Sequence, residues 1–198
     1  MAATPSTMLA LGTLLPRFSL ADYDGQVVSS DQFADSPALL VAFICPHCPF
    51  VRHIRMGFGA FTREYQAKGL AVVGINSNDI EEFPEDAPAG MREEARMAGY
   101  QFPYLFDESQ QTAKDFMAAC TPDLFLFDRA RRLVYRGQFD DSRPRMSLAV
   151  TGRDIRAAVD AVLAGGAVSA TQRPSIGCNV KWKPGNAPDY YARKPSAG

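Results

Sequence analysis

Cysteine, histidine and surplus charge are all scarce in this chain. Lys and Arg number 21 against 22 Asp and Glu, a net charge of −1. No basic excess exists to neutralise a phosphate backbone, which excludes nucleic acid as a primary partner. Long apolar runs are missing as well. None approaches the ~20 residues a bilayer crossing needs, so no membrane partner is expected. The opening MAATPSTMLALGTLLP has a short apolar patch, but the first cation, Arg17, follows that patch. A secretion signal has the reverse order, and a cytoplasmic protein is expected. Four cysteines in 198 residues are too few for a disulfide framework. With only His47 and His53, and with Cys120 and Cys178 isolated, the paired motifs of a zinc site are also absent. No cofactor and no metal are expected.

What is present is a clear alternation of strands and helices. Ala38–Ile44 is a short continuous apolar run, the pattern of a strand buried on both faces. Val51, Ile54, Phe58, Phe61 and Tyr65 follow at spacings of three and four, one face of a helix stopped by Lys68-Gly69. Leu70–Ile75 is a second buried strand, completing a βαβ unit with parallel strands. A polar loop, Asn76–Pro84, leads to a helix over Pro88–Ala98 closed by Gly99, and Tyr104–Phe106 reads as a strand. Asp107 with Gln110 has the form of a capping box opening a helix to about Ala118. Asp123–Phe127 and Arg132–Arg136 make a hairpin, and Thr151, Ile155, Val159 and Val162 mark a last helix ending at Gly165-Gly166. The order predicts one α/β domain, a mixed central sheet with helices on both faces, over residues 15–166. Residues 1–14 are expected to form an arm. Residues 167–198 are expected to be an extended tail packing on the domain.

The chemistry gathers at Cys45-Pro46-His47-Cys48, between the buried strand and the long helix. Sites in open α/β sheets lie outside the carboxyl ends of the strands. A thiol at a helix N-terminus meets unpaired N–H groups and the positive end of the dipole, and both favour the nucleophilic thiolate. Lowering a cysteine pKa by roughly two units corresponds to about 2.7 kcal/mol. Cys45, at the turn, is expected to attack; Cys48, one helical turn on, is placed to close the disulfide and release a bound substrate. Pro46 and His47 would tune the thiolate. His53 and Arg52 read as surface groups. The Asn76–Asp79 loop is expected to line the cleft, and Asp140-Asp141-Ser142-Arg143 reads as a solvated turn.

A buried strand, a Cys-Pro-His-Cys turn, a long helix and a later Thr121-Pro122 before a ββα unit resemble the thioredoxin superfamily. More narrowly, CPHCPFV, GINSND, FPED, CTPDLFLFD, VYRGQFDDSRP and SIGCNVKW are similar to its redoxin (AhpC/TSA-like) branch, within it a bacterial peroxiredoxin-like group with a CxxC motif. The similarity runs from about Leu15 to Trp182. It implies a thioredoxin-like fold with a cis-proline, Pro122, facing the CxxC. Thr121 would then offer its backbone to an extended substrate. The implied activity is thiol–disulfide exchange with a disulfide-bonded protein or small thiol substrate, sustained by a thioredoxin- or glutathione-type reductant. A peroxiredoxin-type thiol peroxidase is the alternative enzyme. A non-catalytic metal-binding module using Cys45, Cys48 and His47 or His53 is the alternative outside enzymes.

Departures from the family pattern bear on these choices. Peroxiredoxins carry their reactive Cys in Pro-x-x-x-Thr/Ser-x-x-Cys. Aligned on Cys48, Val41 stands for the proline and Cys45 for the hydroxyl residue, and the family's arginine position falls near Pro122. Weak peroxidase activity is expected. Leu39 occupies the place of thioredoxin's buried Asp, which leaves Cys48 without an identified proton acceptor. Cys120 and Cys178 are candidate auxiliary thiols. Residues from about Pro174 to Trp182 are expected to dock with Trp182 as the anchor, bringing Cys178 within reach of Cys120.

Overall fold

A computed structural model describes residues 3–192. Its strands are β1 (Ala3–Pro5), β2 (Ser19–Asp22), β3 (Val27–Ser29), β4 (Ala38–Phe43), β5 (Leu70–Asn76), β6 (Tyr104–Phe106), β7 (Cys120–Thr121), β8 (Asp123–Phe127), β9 (Leu133–Gly137) and β10 (Ile176–Asn179). Its helices are α1 (Pro49–Gln66), α2 (Pro88–Ala98), α3 (Gln111–Asp115), α4 (Arg153–Leu163) and α5 (Asp189–Ala192).

Every residue of β4 is buried. An apolar strand is stable in that state only in mid-sheet with both faces covered. β4 pairs in parallel with β5 and antiparallel with β8, near the middle of a seven-stranded mixed sheet ordered β3-β2-β6-β5-β4-β8-β9. The strand's two-residue period then divides the core. Leu40, Ala42 and Ile44 meet Val51, Ile54 and Phe58 of α1 and Ile155 and Val159 of α4. Leu39, Val41 and Phe43 meet Ala113 of α3 and Phe116 on the other face. The fold is thus the mixed sheet with helices on both faces that the sequence predicts. Among the described residues no helix is long and apolar enough to cross a membrane.

Local signals set several boundaries where expected. α1 opens on Pro49, whose fixed φ and missing N–H suit a first helical turn. α2 stops at Gly99, held at φ 67, a left-handed conformation glycine adopts without strain. α3 is shorter than the capping box suggests. Asp107 does accept the Ala113 N–H at 2.9 Å, but the Gln110 side chain turns away, donating to the carbonyls of Ser77 and Lys181 at 2.8 and 2.7 Å. Those bonds are worth more to a fully buried amide than a cap exposed to water, because an unpaired polar group in the interior costs about 1–3 kcal/mol.

A second sheet, ordered β1-β10-β7, joins the two ends of the chain. Cys178 and Val180 are 2% and 1% exposed, so this part of the tail is core. The tail is held mainly by backbone. Lys181 N–H donates to Asn78 Oδ1 and Asp79 N–H to the Lys181 carbonyl, both at 2.8 Å. Trp182 is half-buried against the core, edge-on to Tyr190 and Tyr191. Residues 1–2 and 193–198 of the arm and tail lie outside the described residues.

The Asp140–Arg143 loop is a correction to the sequence reading. Asp140 and Ser142 are each 3% exposed. Asp140 Oδ2 accepts the N–H groups of Thr151 and Gly152 at 2.6 Å, tying the loop to the start of α4. Burial pushes the Asp140 carboxyl up, but the Ser142 hydroxyl and these backbone bonds outweigh it and hold it below its usual value.

At the centre of α1, Phe58 packs edge-on against Tyr100, Phe102 and Phe139 and is 1% exposed. Phe58→Ala should lower the free energy of unfolding by about 3–5 kcal/mol. Urea titration followed by circular dichroism measures it. A loss under about 1 kcal/mol would show that the site collapses without a cavity.

Candidate active site

β4 ends at Phe43, and the chain turns through Cys45–Cys48 before entering α1, for which Cys48 is the N-cap residue. Both cysteines are 0% exposed. Pro46 is buried too, and its carbonyl accepts from Arg52 Nε at 2.7 Å, fixing the turn to the helix. The Thr121-Pro122 peptide is cis, as the sequence comparison implies. Thr121 Oγ1 stands 3.4 Å from Cys45 Sγ, and Cys48 Sγ donates to the Thr121 carbonyl at 3.0 Å. Cys45, Cys48, Thr121 and Pro122 therefore come together at one end of the sheet.

His47 is organised by a residue the sequence reading left unassigned. The His47 N–H donates to Asp86 Oδ1 at 2.9 Å, and its ring Nδ1 lies 2.5 Å from Asp86 Oδ2. A carboxylate oxygen only accepts, so Nδ1 carries the hydrogen. The same nitrogen is 3.8 Å from Cys45 Sγ, and the ring stacks on Phe83 at 4.9 Å. Asp86 is fully buried and is held in turn by Asn78 Nδ2 at 2.7 Å, while Asn76 Nδ2 donates to its carbonyl at 2.7 Å. The Asn76–Asp79 loop thus builds the floor of the site. The FPED motif was the available signal: an acidic residue beside aromatic Phe83, close in sequence to a strand's carboxyl end.

The two sulfurs differ in surroundings. Burial pushes the Cys45 thiol well above its usual value; the hydrogen bond with Cys48 and the Asp86 carboxylate add to the effect. Burial acts the same way on Cys48. There it is outweighed by hydrogen bonds from Cys178, Cys45 and Thr121 and from the Val51 N–H, which bring the thiol down to about 2. The contrast follows from the helix start: Cys48 is the N-cap and faces the free N–H groups, whereas Cys45 faces a carboxylate.

The remaining candidates separate. Cys178 neighbours Cys48: Cys48 pushes the Cys178 thiol up, and Cys178 helps lower that of Cys48. Cys120 Sγ points to the Pro122 carbonyl at 3.6 Å, and burial pushes its thiol up. Neighbouring strand residues face opposite ways, so Cys178, opposite Thr121 in the ladder, is on the wrong side for Cys120. All four thiols are free. His53 binds Ser142 Oγ at 3.0 Å, away from the cysteines. Cys45, His47 and Asp86 offer three ligand atoms within 4.8 Å of one another. The hydrogen on Nδ1 occupies the imidazole atom that faces the cluster, so the geometry is that of a hydrogen-bonded pair beside a thiol. We assign no metal to it.

With the geometry established, the comparisons are consistent with it. The model of the AhpC/TSA family matches residues 11–136. A hypothetical protein from Sinorhizobium meliloti is 55% identical and superposes with a TM-score of 0.90, covering 92% of this chain and 100% of that one. The thioredoxin domain of a thiol-disulfide oxidoreductase from Bacteroides vulgatus shares the fold, with a TM-score of 0.56 at 17% identity over 75% of this chain and 96% of that one. Chloroplastic peroxiredoxin Q of Suaeda salsa is 26% identical over 143 residues, 67% of this chain and 62% of the relative's length.

Directly after the cis-proline, Asp123 is fully buried, and burial pushes its carboxyl up to about 7 against hydrogen bonds from Ser6, Ala119 and Leu124. In the unfolded chain the group ionises near the usual carboxylate pKa of about 3.9. As pH rises from about 4 to about 7, the unfolded state releases a proton that the folded state keeps. Stability should therefore fall across that window, by on the order of 4 kcal/mol from this group, and level off above it. Asp123→Asn should flatten that part of the pH profile in urea denaturation. Parallel profiles for the two proteins would disprove the assignment.

Proposed function

The chain belongs to the AhpC/TSA family, and within that family we propose that it is a thiol–disulfide oxidoreductase whose redox pair is Cys45 and Cys48. The observation that carries the reading is the meeting of both buried thiols with Thr121, directly before cis-Pro122, at the start of α1. In the proposed reaction the Cys48 thiolate attacks a substrate disulfide. One S–S bond forms to Cys48 as the substrate bond breaks, and the first substrate thiolate leaves. Cys45 then attacks Cys48 Sγ, expels the second substrate thiol and closes the Cys45–Cys48 disulfide. Its proton passes towards Asp86, whose carboxylate lies within 4.8 Å of Cys45 Sγ. This supplies the acceptor that the Leu39 position lacks. His47, fixed on Asp86, is a positioning residue for that transfer.

The order of attack is the reverse of the one read from the sequence, because the charge-stabilising contacts converge on the N-cap. The proposed substrates are disulfide-bonded proteins or small thiols in the cytoplasm, with a thioredoxin- or glutathione-type reductant restoring the dithiol. Replacing Cys48 by serine should abolish turnover with a model protein disulfide, and replacing Cys45 should slow it. Ultraviolet thiolate absorbance at neutral pH should disappear in Cys48→Ser and persist in Cys45→Ser, with alkylation of Cys48 nearly independent of pH between about 5 and about 8. Persistence in Cys48→Ser and loss in Cys45→Ser would return the attacking role to Cys45. Turnover in Cys48→Ser would refute the pair.

Peroxide chemistry has weaker support. Among the described residues, the groups that hydrogen-bond the two sulfurs include no arginine, so nothing cationic polarises an O–O bond there. Stopped-flow oxidation of the reduced protein by hydrogen peroxide should be no faster than that of an ordinary thiolate. Rapid, saturable oxidation would favour a thiol peroxidase.

A further inference from the structure

The dithiol chemistry proposed above uses two thiols, yet three sulfurs meet in the site. β10 lies antiparallel against β7 with Cys178 opposite Thr121 and Asn179 opposite Cys120. It thereby fills the strand edge beside Pro122 that an extended substrate would use. The approach is unusually close. A Cβ on Gly177 would stand 1.9 Å from the Thr121 carbonyl oxygen, so only glycine lets β10 reach this position. That same carbonyl oxygen is 3.0 Å from Cys48 Sγ. Cys178, 2% exposed, therefore packs in the same core cluster as Cys45 and Cys48, opposite the Thr121 whose carbonyl Cys48 Sγ contacts, on the strand facing the cis-proline.

We propose that Cys178 is a third redox thiol, which attacks Cys48 Sγ of the Cys45–Cys48 disulfide and moves the bond to Cys48–Cys178. The step is an exchange within one chain. The Cys178 thiol gives up its proton and its sulfur bonds to Cys48. The Cys45–Cys48 bond breaks, and its electron pair leaves on Cys45 Sγ, which takes up a proton beside the Thr121 hydroxyl at 3.4 Å and the His47–Asp86 pair. Net, one proton moves from Cys178 to Cys45; no electron enters or leaves, so no further oxidant is needed. The chemistry favours this order. In the reduced protein the Cys48 hydrogen bond is the main influence holding Cys178 protonated, followed by burial, and it is lost once Cys48 is in a disulfide. Lys181 then remains as a nearby cation that favours the Cys178 thiolate. The result is a disulfide moved from the CxxC turn onto β10, the strand that joins the two ends of the chain.

The test uses full-length protein, reduced and then titrated with dithiodipyridine, whose released thiopyridone is coloured. In Cys45→Ser, attack by Cys48 should release a first equivalent, and closure by Cys178 should release a second. Peptide mapping without reductant should find Cys48 bonded to Cys178. Cys45→Ser with Cys178→Ala should stop after the first equivalent, with the pyridyl adduct on Cys48. Cys45→Ser with Gly177→Ala, which keeps the thiol but forces β10 away, should lose the second release as well. A stable pyridyl adduct in Cys45→Ser itself, or a bond from Cys48 to Cys120, would overturn the proposal and leave Cys178 as a hydrogen-bond donor. Wild-type protein reports separately on the dithiol reading: if it forms no Cys45–Cys48 bond, that reading fails whatever Cys178 does. Circular dichroism on each variant confirms that the fold is retained.

Discussion

A carboxylate with no access to water has to find its hydrogen bonds inside the protein, and Asp86 is such a group. An unpaired charge in the interior costs several kcal/mol at least, so the residues that satisfy it are not free to be elsewhere. Three donors meet the need: the backbone and ring of His47 and the side chain of Asn78. Each belongs to a different requirement of the site. His47 fixes the turn between the cysteines, and Asn78 fixes the loop after β5. Through its Oδ1, Asn78 also receives the Lys181 N–H and so holds the tail. One buried charge therefore couples the CxxC turn, the sheet's carboxyl edge and the C-terminal segment. Removing it would unsettle all three together.

The sheet's middle was readable from residue type because it depends on local pattern. Ala38–Phe43 is apolar throughout and Leu70–Asn76 carries no polar side chain before its last residue, and α1 and α2 carry both periodicity and stop signals. The pairing of β10 with β7 and β1 was not readable. It joins residues more than fifty positions apart through backbone hydrogen bonds, and those leave no side-chain signature. The short β1 was missed for the same reason, and β2 and β3, a local hairpin of four and three residues, are too short for alternation to show. Gln110 misled because a polar residue three after Asp107 fits a cap equally well on paper. Only the arrival of Ser77 and Lys181 decides where its amide goes. For the site, Cys45, Cys48 and cis-Pro122 were legible from spacing and order. Asp86 was not assigned, since FPED marks the segment without saying which of its two acidic residues turns inward. That Cys48 is the N-cap residue also escaped, because periodicity places such a boundary only to within a residue or two.

Burial of the whole redox pair sets the character of the site. In water a cysteine is a modest acid whatever its neighbours; in a dry interior each hydrogen bond and each fixed charge counts for more. Two sulfurs one helical turn apart thus acquire opposite tendencies from a few contacts: N–H and thiol donors at one, a carboxylate at the other. The family's fold provides the helix start and the cis-proline loop. This chain's own residues, Asp86, His47 and the strand bearing Cys178, provide the asymmetry.

The ladder between β10 and β7 has a kinetic consequence. In the proposed exchange, a substrate would reach the Thr121 edge only in the fraction of molecules where that ladder is open, so the exchange rate would be the intrinsic rate scaled by a local-unfolding equilibrium. Every ~1.4 kcal/mol of opening free energy lowers the rate tenfold at constant thiol chemistry. The ladder is two residue pairs long, with Gly177 contributing no side chain to its packing. Low concentrations of denaturant, or modest warming, should therefore accelerate this protein before they unfold it, and its amide exchange at Thr121 and Cys178 should keep pace with its chemistry.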